Sequence, residues 1–170
     1  MQWYLLKLSS GENNVSDVDG YNSFHLTTTE QRGGGVFIYI KNSYKASKIS
    51  SLTKIFSSFE VCTVNVFFNN CNVHLLGIYR PPNTNIQDFI LELHNFLSVN
   101  FTNDSKFIIT GDLNICLLTD SNYGVELLNM FQGLAFSPLI GKPTRVVGTS
   151  NRLIDHIWSN IELLFISFVF

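Results

Sequence analysis

Two different periods of hydrophobic and polar positions run along this chain, and the switches between them mark out its elements. Val36 to Ile40 is an apolar, β-rich run, entered through Gly33-Gly34-Gly35 and closed by Lys41-Asn42-Ser43, a turn signal. Val61 to Phe68 alternates and is rich in β-branched residues, Asn69-Asn70-Cys71-Asn72 turns, and Val73 to Tyr79 returns, which predicts an antiparallel hairpin. Pro81-Pro82 stops the second arm, because proline has no N–H to give a ladder. The period then becomes helical: Ile86, Phe89, Ile90, Leu93, Phe96 and Leu97 recur at three- and four-residue steps, with Asn85 as the cap. Lys106 to Thr110 predicts a central strand. Tyr123 to Leu134 predicts a second helix, with Val125, Leu128, Phe131 and Ala135 on one face, and Leu153 to Trp158 a further short strand. Residues 1–19 carry no pattern that assigns an element.

Strands and helices interleave, yet the Val61–Tyr79 pair is antiparallel. This mixture predicts an α/β (α+β) sandwich with largely antiparallel sheets rather than a doubly wound parallel sheet. The 170 residues suit one domain with a real core. We divide them into a poorly patterned segment 1–19, a domain 20–160 and an apolar tail 161–170.

Composition sharpens this in three places. Apolar residues make up 45% and charged residues only 14%, which argues against disorder. The net charge of −2 carries no basic footprint of a nucleic-acid binder, although a site that collects carboxylates offsets basic residues elsewhere. Cys62, Cys71 and Cys116 are odd in number and lack CxxC spacing, so a reducing, intracellular setting is the simpler reading. Asn14, Asn100 and Asn103 head glycosylation triplets that read as chance matches in an asparagine-rich chain. Lys7 and the polar residues from Ser9 cut short the opening apolar run, and no window of about 18 apolar residues suggests a membrane span.

The candidate chemistry lies where apolar runs stop. Phe107 to Thr110 ends at Gly111 and presents Asp112 and Asn114 two residues apart, which extended chain would place on one side. A carboxylate that can orient a water beside an amide that can hold an oxygen suits phosphoester cleavage; a turn or capping role is the plain alternative. Tyr79 ends its strand at a rigid Pro-Pro turn, so its phenol could donate to a phosphate oxygen. Arg80 could pair with a phosphate in bidentate fashion, with a surface salt bridge as the equal alternative. Asp155 and His156 are adjacent on a strand and should point to opposite faces, so they do not form a working pair. The triple glycine precedes no Gly-Lys-Ser/Thr and no helix, so it reads as a hinge rather than a nucleotide loop. No HExxH or Cys/His cluster suggests zinc.

Gly-Gly-Gly-Val-Phe-Ile-Tyr-Ile-Lys, Tyr-Arg-Pro-Pro, Gly-Asp-Leu-Asn and Ile-Asp-His-Ile, in this order over roughly 20–160, resemble the endonuclease/exonuclease/phosphatase family, and within it the endonuclease domain of non-LTR retrotransposons. The resemblance implies a four-layered, deoxyribonuclease-I-like sandwich and Mg²⁺ (or Mn²⁺) as cofactor. It implies Asp112, Asn114, Tyr79 and Asp155 as catalytic residues, with Asp112 on the attacking water, Asn114 on phosphate or water, and Asp155 orienting a histidine. It implies Thr144 and Arg145, from a Pro-Thr-Arg segment near the DNA backbone, as substrate-binding, beside the phosphate role read above for Arg80. DNA is the implied partner, a reverse transcriptase domain the implied neighbour, and the nucleus or cytoplasm the implied location.

The sequence departs from the family twice. The Glu-Thr-Trp-Leu segment that carries the main metal ligand has no counterpart before Gly20-Tyr21-Asn22, and the Ser-Asp-His segment is absent after Trp158-Ser159-Asn160. Asp112 and Asp155 alone would make a weak, incomplete metal site. The expected activity is therefore a weakened or absent DNA-nicking hydrolase. The alternatives are a non-catalytic fold remnant of a retrotransposon reading frame, or a phosphatase or phosphodiesterase acting on a small phosphoester.

Overall fold

The computed structural model describes residues 3–7, 17–27, 35–101, 105–119 and 121–161. Strands β1 (Trp3–Lys7), β2 (Tyr21–Thr27) and β3 (Gly35–Lys41) form a small antiparallel sheet in the order β1-β3-β2. The large sheet runs β4 (Lys45–Lys48), β6 (Glu60–Phe68), β7 (Cys71–Tyr79), β8 (Phe107–Asp112), β12 (Asp155–Ser159) and β9 (Ser137–Pro138), with β5 (Lys54–Ile55) also paired to β6. Helices α1 (Ile86–Asn100) and α2 (Asn122–Gly133) cover one face of it. An exposed hairpin of β10 (Arg145–Val147) and β11 (Ser150–Arg152) stands apart.

The period-two strands have two apolar faces, and each packs against a different layer. Val61, Leu76, Ile78, Phe107, Ile109 and Trp158 face α1 and α2, meeting Phe89, Leu93, Leu127 and Phe131 in one core. The intervening positions Cys62, Val64, Leu75, Ile108 and Ile157 face Val36, Ile38 and Ile40 of the small sheet in a second core. The described residues thus form helix, large-sheet and small-sheet layers.

The hairpin is as its pattern predicts, with a tighter turn. Only Asn69 and Asn70 lie between the strands, both at positive φ (48° and 60°), the paired left-handed turn that matches strand twist and that asparagine tolerates. Asn85 caps α1, its side chain accepting from the N–H groups of Gln87 and Asp88. Strand β8 joins parallel to β7 through the α1 crossover and antiparallel to β12, so it is the centre of a mixed sheet.

Two expectations change. Within the segment left without an element, Trp3–Lys7 forms β1 against β3, because a short apolar run needs only a partner edge to become a strand. The inner face of α2 is Gly124, Leu127 and Phe131; Val125 is 52% exposed and Ala135 lies beyond the helix at φ 61°. The buried stripe is offset from the predicted one because Gly124 must pass close to the Cys116 carbonyl, where an added Cβ would lie 2.7 Å from the oxygen. Of the apolar tail, only Ile161 lies within the described residues, packed on the second core.

Candidate active site at the end of the large sheet

Register places the candidate residues. Glu60 pairs with Tyr79 across β6 and β7, Tyr79 with Asp112 across β7 and β8, and Asp112 with Asp155 across β8 and β12. Cross-strand partners project to the same face. Glu60, Tyr79, Asp112 and Asp155 therefore form one transverse row at the end of four neighbouring strands, on the face that carries the second core. Tyr79 is 9% exposed, and its ring packs into that core. A cavity of about 710 Å³ opens beside it, lined by Phe56, Phe59, Glu60, Tyr79, Pro81 and Thr84.

Gly111 lets the strands close up here. A Cβ at this position would fall 1.7 Å from the Ile78 carbonyl oxygen. The glycine before Asp112 is thus required by the approach of β7, which also sets Tyr79 beside Asp112.

Strand alternation, which predicts Asp112 and Asn114 on one side, is not what brings them together. The strand ends at Asp112, and Asn114 takes a left-handed conformation (φ 51°). The carboxylate Oδ1 of Asp112 accepts the Asn114 N–H at 3.1 Å, and Asn114 Nδ2 donates to the Arg80 carbonyl at 2.8 Å. The two residues come together through a turn stabilised by Asp112 itself.

Arg80 departs most from its expected role. It was read as a phosphate-pairing side chain, yet it is 1% exposed. Its Nε donates to Leu113 O at 2.7 Å, Nη1 to Thr84 O at 2.8 Å and to Pro81 O, and Nη2 to Asn114 O at 3.3 Å. Its N–H donates to Asp112 O at 3.0 Å. Burial pulls the guanidinium down from its usual range, while Asp112 and Tyr79 hold it up. The planar fork thus clamps the Tyr-Arg-Pro-Pro turn onto the Gly-Asp-Leu-Asn turn.

Thr144 acts through its hydroxyl on the backbone where β12 begins. Its Oγ1 accepts the N–H groups of Ile154 (3.2 Å) and Asp155 (3.1 Å), which fixes where β12 begins and where Asp155 stands. A hydroxyl has two acceptor sites and one donor, so only its hydrogen remains for a substrate. Arg145 lies on the exposed hairpin directly opposite Arg152, with Val146 and Val147 more than 60% exposed beside it. Leu153 and Ile154 alone separate this hairpin from Asp155.

His156 faces away from the row. It is 2% exposed, and its Nε2 lies 2.8 Å from the Ile115 carbonyl. Burial depresses it to about 4, against the raising effect of the Ile115 and Leu153 carbonyls and Asp112. A neutral ring donating from Nε2 pins the loop after Asp112 to β12.

Asp112 and Asp155 are the two described carboxylates best placed for a divalent cation. Among the described residues no group of three His, Cys, Asp or Glu side chains could hold a metal ion. Two carboxylates by themselves would hold Mg²⁺ or Mn²⁺ only weakly, with water and phosphate oxygens making up the rest of the six.

Sequence reasoning missed Glu60 and Arg152. Counting outwards from the Asn69–Asn70 turn pairs Tyr79 with Glu60, a signal that was in the hairpin pattern. Arg152 becomes visible only once Arg145 is known to lie on a hairpin. Burial pushes the Glu60 carboxyl above its usual range.

No family model matches the chain, and no curated protein matches it. Solved structures do. The endonuclease domain of TRAS1, a telomere-specific non-LTR retrotransposon, is similar with a TM-score of 0.66 at 16% identity, over 84% of this chain and 68% of that one. An AP endonuclease from Archaeoglobus fulgidus gives 0.65 at 14% identity, over 93% and 76%. An endonuclease/exonuclease/phosphatase family protein from Leptotrichia buccalis C-1013-b gives 0.53 at 13% identity, over 95% of this chain and 60% of that one. The helix-covered mixed sheet backed by a small antiparallel sheet, with its carboxylates at the ends of β8 and β12, is thus the deoxyribonuclease-I-like fold of the endonuclease/exonuclease/phosphatase proteins.

Proposed function

We propose that this chain is a phosphodiester hydrolase domain that nicks DNA, of the kind carried by non-LTR retrotransposons next to a reverse transcriptase, and that its activity is weak. The observation that carries the reading is the Tyr79–Asp112–Asp155 row, held by the Arg80 clamp at the open end of the large sheet. In this reading Asp112 takes the proton of, or orients, a water aimed at phosphorus. Tyr79 donates its phenolic hydrogen to a non-bridging oxygen as charge develops there. Asp155 sets the field on the far side of Asp112, and Asn114 holds the turn that presents it. Mg²⁺ or Mn²⁺, when bound, would stabilise charge on the phosphoryl oxygens; Asp112 and Asp155 are the residues that would contribute to holding it.

The exposed Arg145–Arg152 hairpin supports a DNA substrate. Two guanidinium groups directly opposite each other repel, and a polyphosphate strand relieves that repulsion. The place of action is then wherever the chain meets DNA, in the nucleus or cytoplasm.

A second reading, a remnant that keeps the fold without turnover, is favoured by the lack of a three-residue metal group among the described residues. Nicking of supercoiled plasmid with and without Mg²⁺, beside Asp112→Ala, decides between them. Mg²⁺-dependent nicking lost in the variant supports the hydrolase. A folded protein that nicks no faster than the variant supports the remnant.

A further inference from the structure

Glu60 is a buried carboxyl to which the proposed hydrolysis gives no work. It is 8% exposed, and its Oε2 is sealed from solvent with no hydrogen-bond partner. Folding normally avoids this arrangement, because a buried polar oxygen without a partner loses its hydration for nothing. A buried acid kept at such a cost, at the end of a row of functional groups, is a candidate for function rather than stability.

Its position says which function. Glu60 stands directly opposite Tyr79, and directly opposed residues keep their Cβ atoms about 5 Å apart. Both side chains line the same cavity. On the other edge of β6 its partner is Ile55, which offers no polar group. Phe56 and Phe59 stack at 4.4 Å between centroids and close the cavity wall on that side. The neighbouring carboxylate, Glu92, is spent on Ser57 and Ser58. Within this cavity wall Tyr79 is therefore the polar group nearest in register to Glu60.

We propose that Glu60 is a positioning residue for Tyr79, its carboxyl constraining the phenol ring across β6–β7 so that the hydroxyl meets a phosphodiester oxygen at the mouth of the cavity. The proposal rests on the hydrolase reading for the role of Tyr79. It does not rest on it for the constraint across the strand pair, and the test separates these.

A double-mutant cycle in plasmid nicking compares the wild-type chain, Glu60→Gln, Tyr79→Phe and the double variant. Glu60→Gln is expected to slow the turnover rate about tenfold, within the coupling range of residues in contact, with DNA affinity unchanged. In the Tyr79→Phe background the same change should cost nothing. Equal losses in both backgrounds would overturn the proposal, since a merely structural carboxyl acts independently of the phenol hydroxyl. A second readout needs no turnover: ring-flip rates of Tyr79 in protein labelled with ¹³C-tyrosine, its signals identified by their loss in Tyr79→Phe. Glu60→Gln should speed the flip, and Glu92→Gln should not. If the wild-type chain fails to nick, the hydrolase reading falls, and the ring readout still decides the positioning: an unchanged flip rate in Glu60→Gln overturns it.

Discussion

Asp155 lies directly opposite Asp112 across the antiparallel pair of β12 and β8. Like charges in that position destabilise a sheet, by roughly 0.2–1 kcal/mol for a cross-strand pair. Local hydrogen bonds help to hold them there: the Thr144 hydroxyl accepts the Asp155 N–H, and the Leu113 N–H donates to Ile154 O at 3.0 Å. Asp155→Asn should therefore raise stability to urea by about 0.5 kcal/mol at low salt, whereas Asp112→Asn should gain less, because it also removes a charge that favours the buried Arg80 guanidinium. The double variant should gain no more than Asp155→Asn alone, because one repulsion can be removed only once. Both singles should lose nicking. Urea midpoints at two ionic strengths check this, and the gain should shrink as salt rises.

Arg80 separates a clamp from a phosphate ligand. Its removal leaves the carbonyls of Leu113, Thr84 and Asn114 without their donors. Arg80→Met should cost about 3 kcal/mol or more, the sum expected for several buried acceptors left unpaired. Arg80→Lys should recover little, because a point charge cannot reproduce the planar fork. A substrate ligand would show the reverse: an unchanged unfolding midpoint and weakened oligonucleotide binding by fluorescence anisotropy.

Gly111→Ala should be among the most damaging single changes. Its Cβ would overlap the Ile78 carbonyl, so β7 and β8 would have to part at the point where Tyr79 meets Asp112. We expect a loss above about 3 kcal/mol, the range for strain that backbone must absorb. Thermal unfolding followed by circular dichroism would show it as a large drop in Tm.

How far the fold could be read from the chain depends on whether each feature is local. The β6–β7 hairpin and the capped helix α1 were legible because turn, period and cap all lie within a short window. Strand β1 was not, since Trp3–Lys7 carries no alternation and its partner strand, Val36 to Ile40, is distant along the chain. The face of α2 was misread for a tertiary reason, the close passage of Gly124 over Cys116 O. At the site, Tyr79, Asp112 and Asp155 were found as separate motifs, and only register shows them to be neighbours. Arg80 was misread because sequence shows that a cation follows Tyr79 but not that carbonyls surround it. Asn114 was misread because alternation stops where the strand stops.

The Arg145–Arg152 hairpin predicts how DNA binding depends on salt. Each arginine that meets a phosphate adds about 0.9 to the slope of log affinity against log salt. Arg145→Ala and Arg152→Ala should each flatten that slope by about one and weaken binding to all sequences alike. Neither should lower the unfolding midpoint, because both side chains are exposed and mutually repelling. A double variant with the wild-type salt slope would remove the hairpin from the interface.

His156 gives the chain an acid limit, to which His74, also depressed by burial, contributes as well. Its ring is depressed to about 4 in the folded state, from 6.5, chiefly by burial. Between those values the unfolded chain binds the proton more readily than the folded one, so stability rises with pH across this window. The contribution is fully present above about 6.5 and is lost as the pH falls through about 4. A shift of this size corresponds to about 3 kcal/mol when the loss is complete. Urea unfolding of the wild-type chain should therefore weaken steadily from pH 6.5 to 5, above the range where ordinary carboxylates titrate. In His156→Gln the slope over that interval should flatten, since glutamine can still donate to Ile115 O but takes up no proton. The same slope in both proteins would mean that another group carries the acid transition.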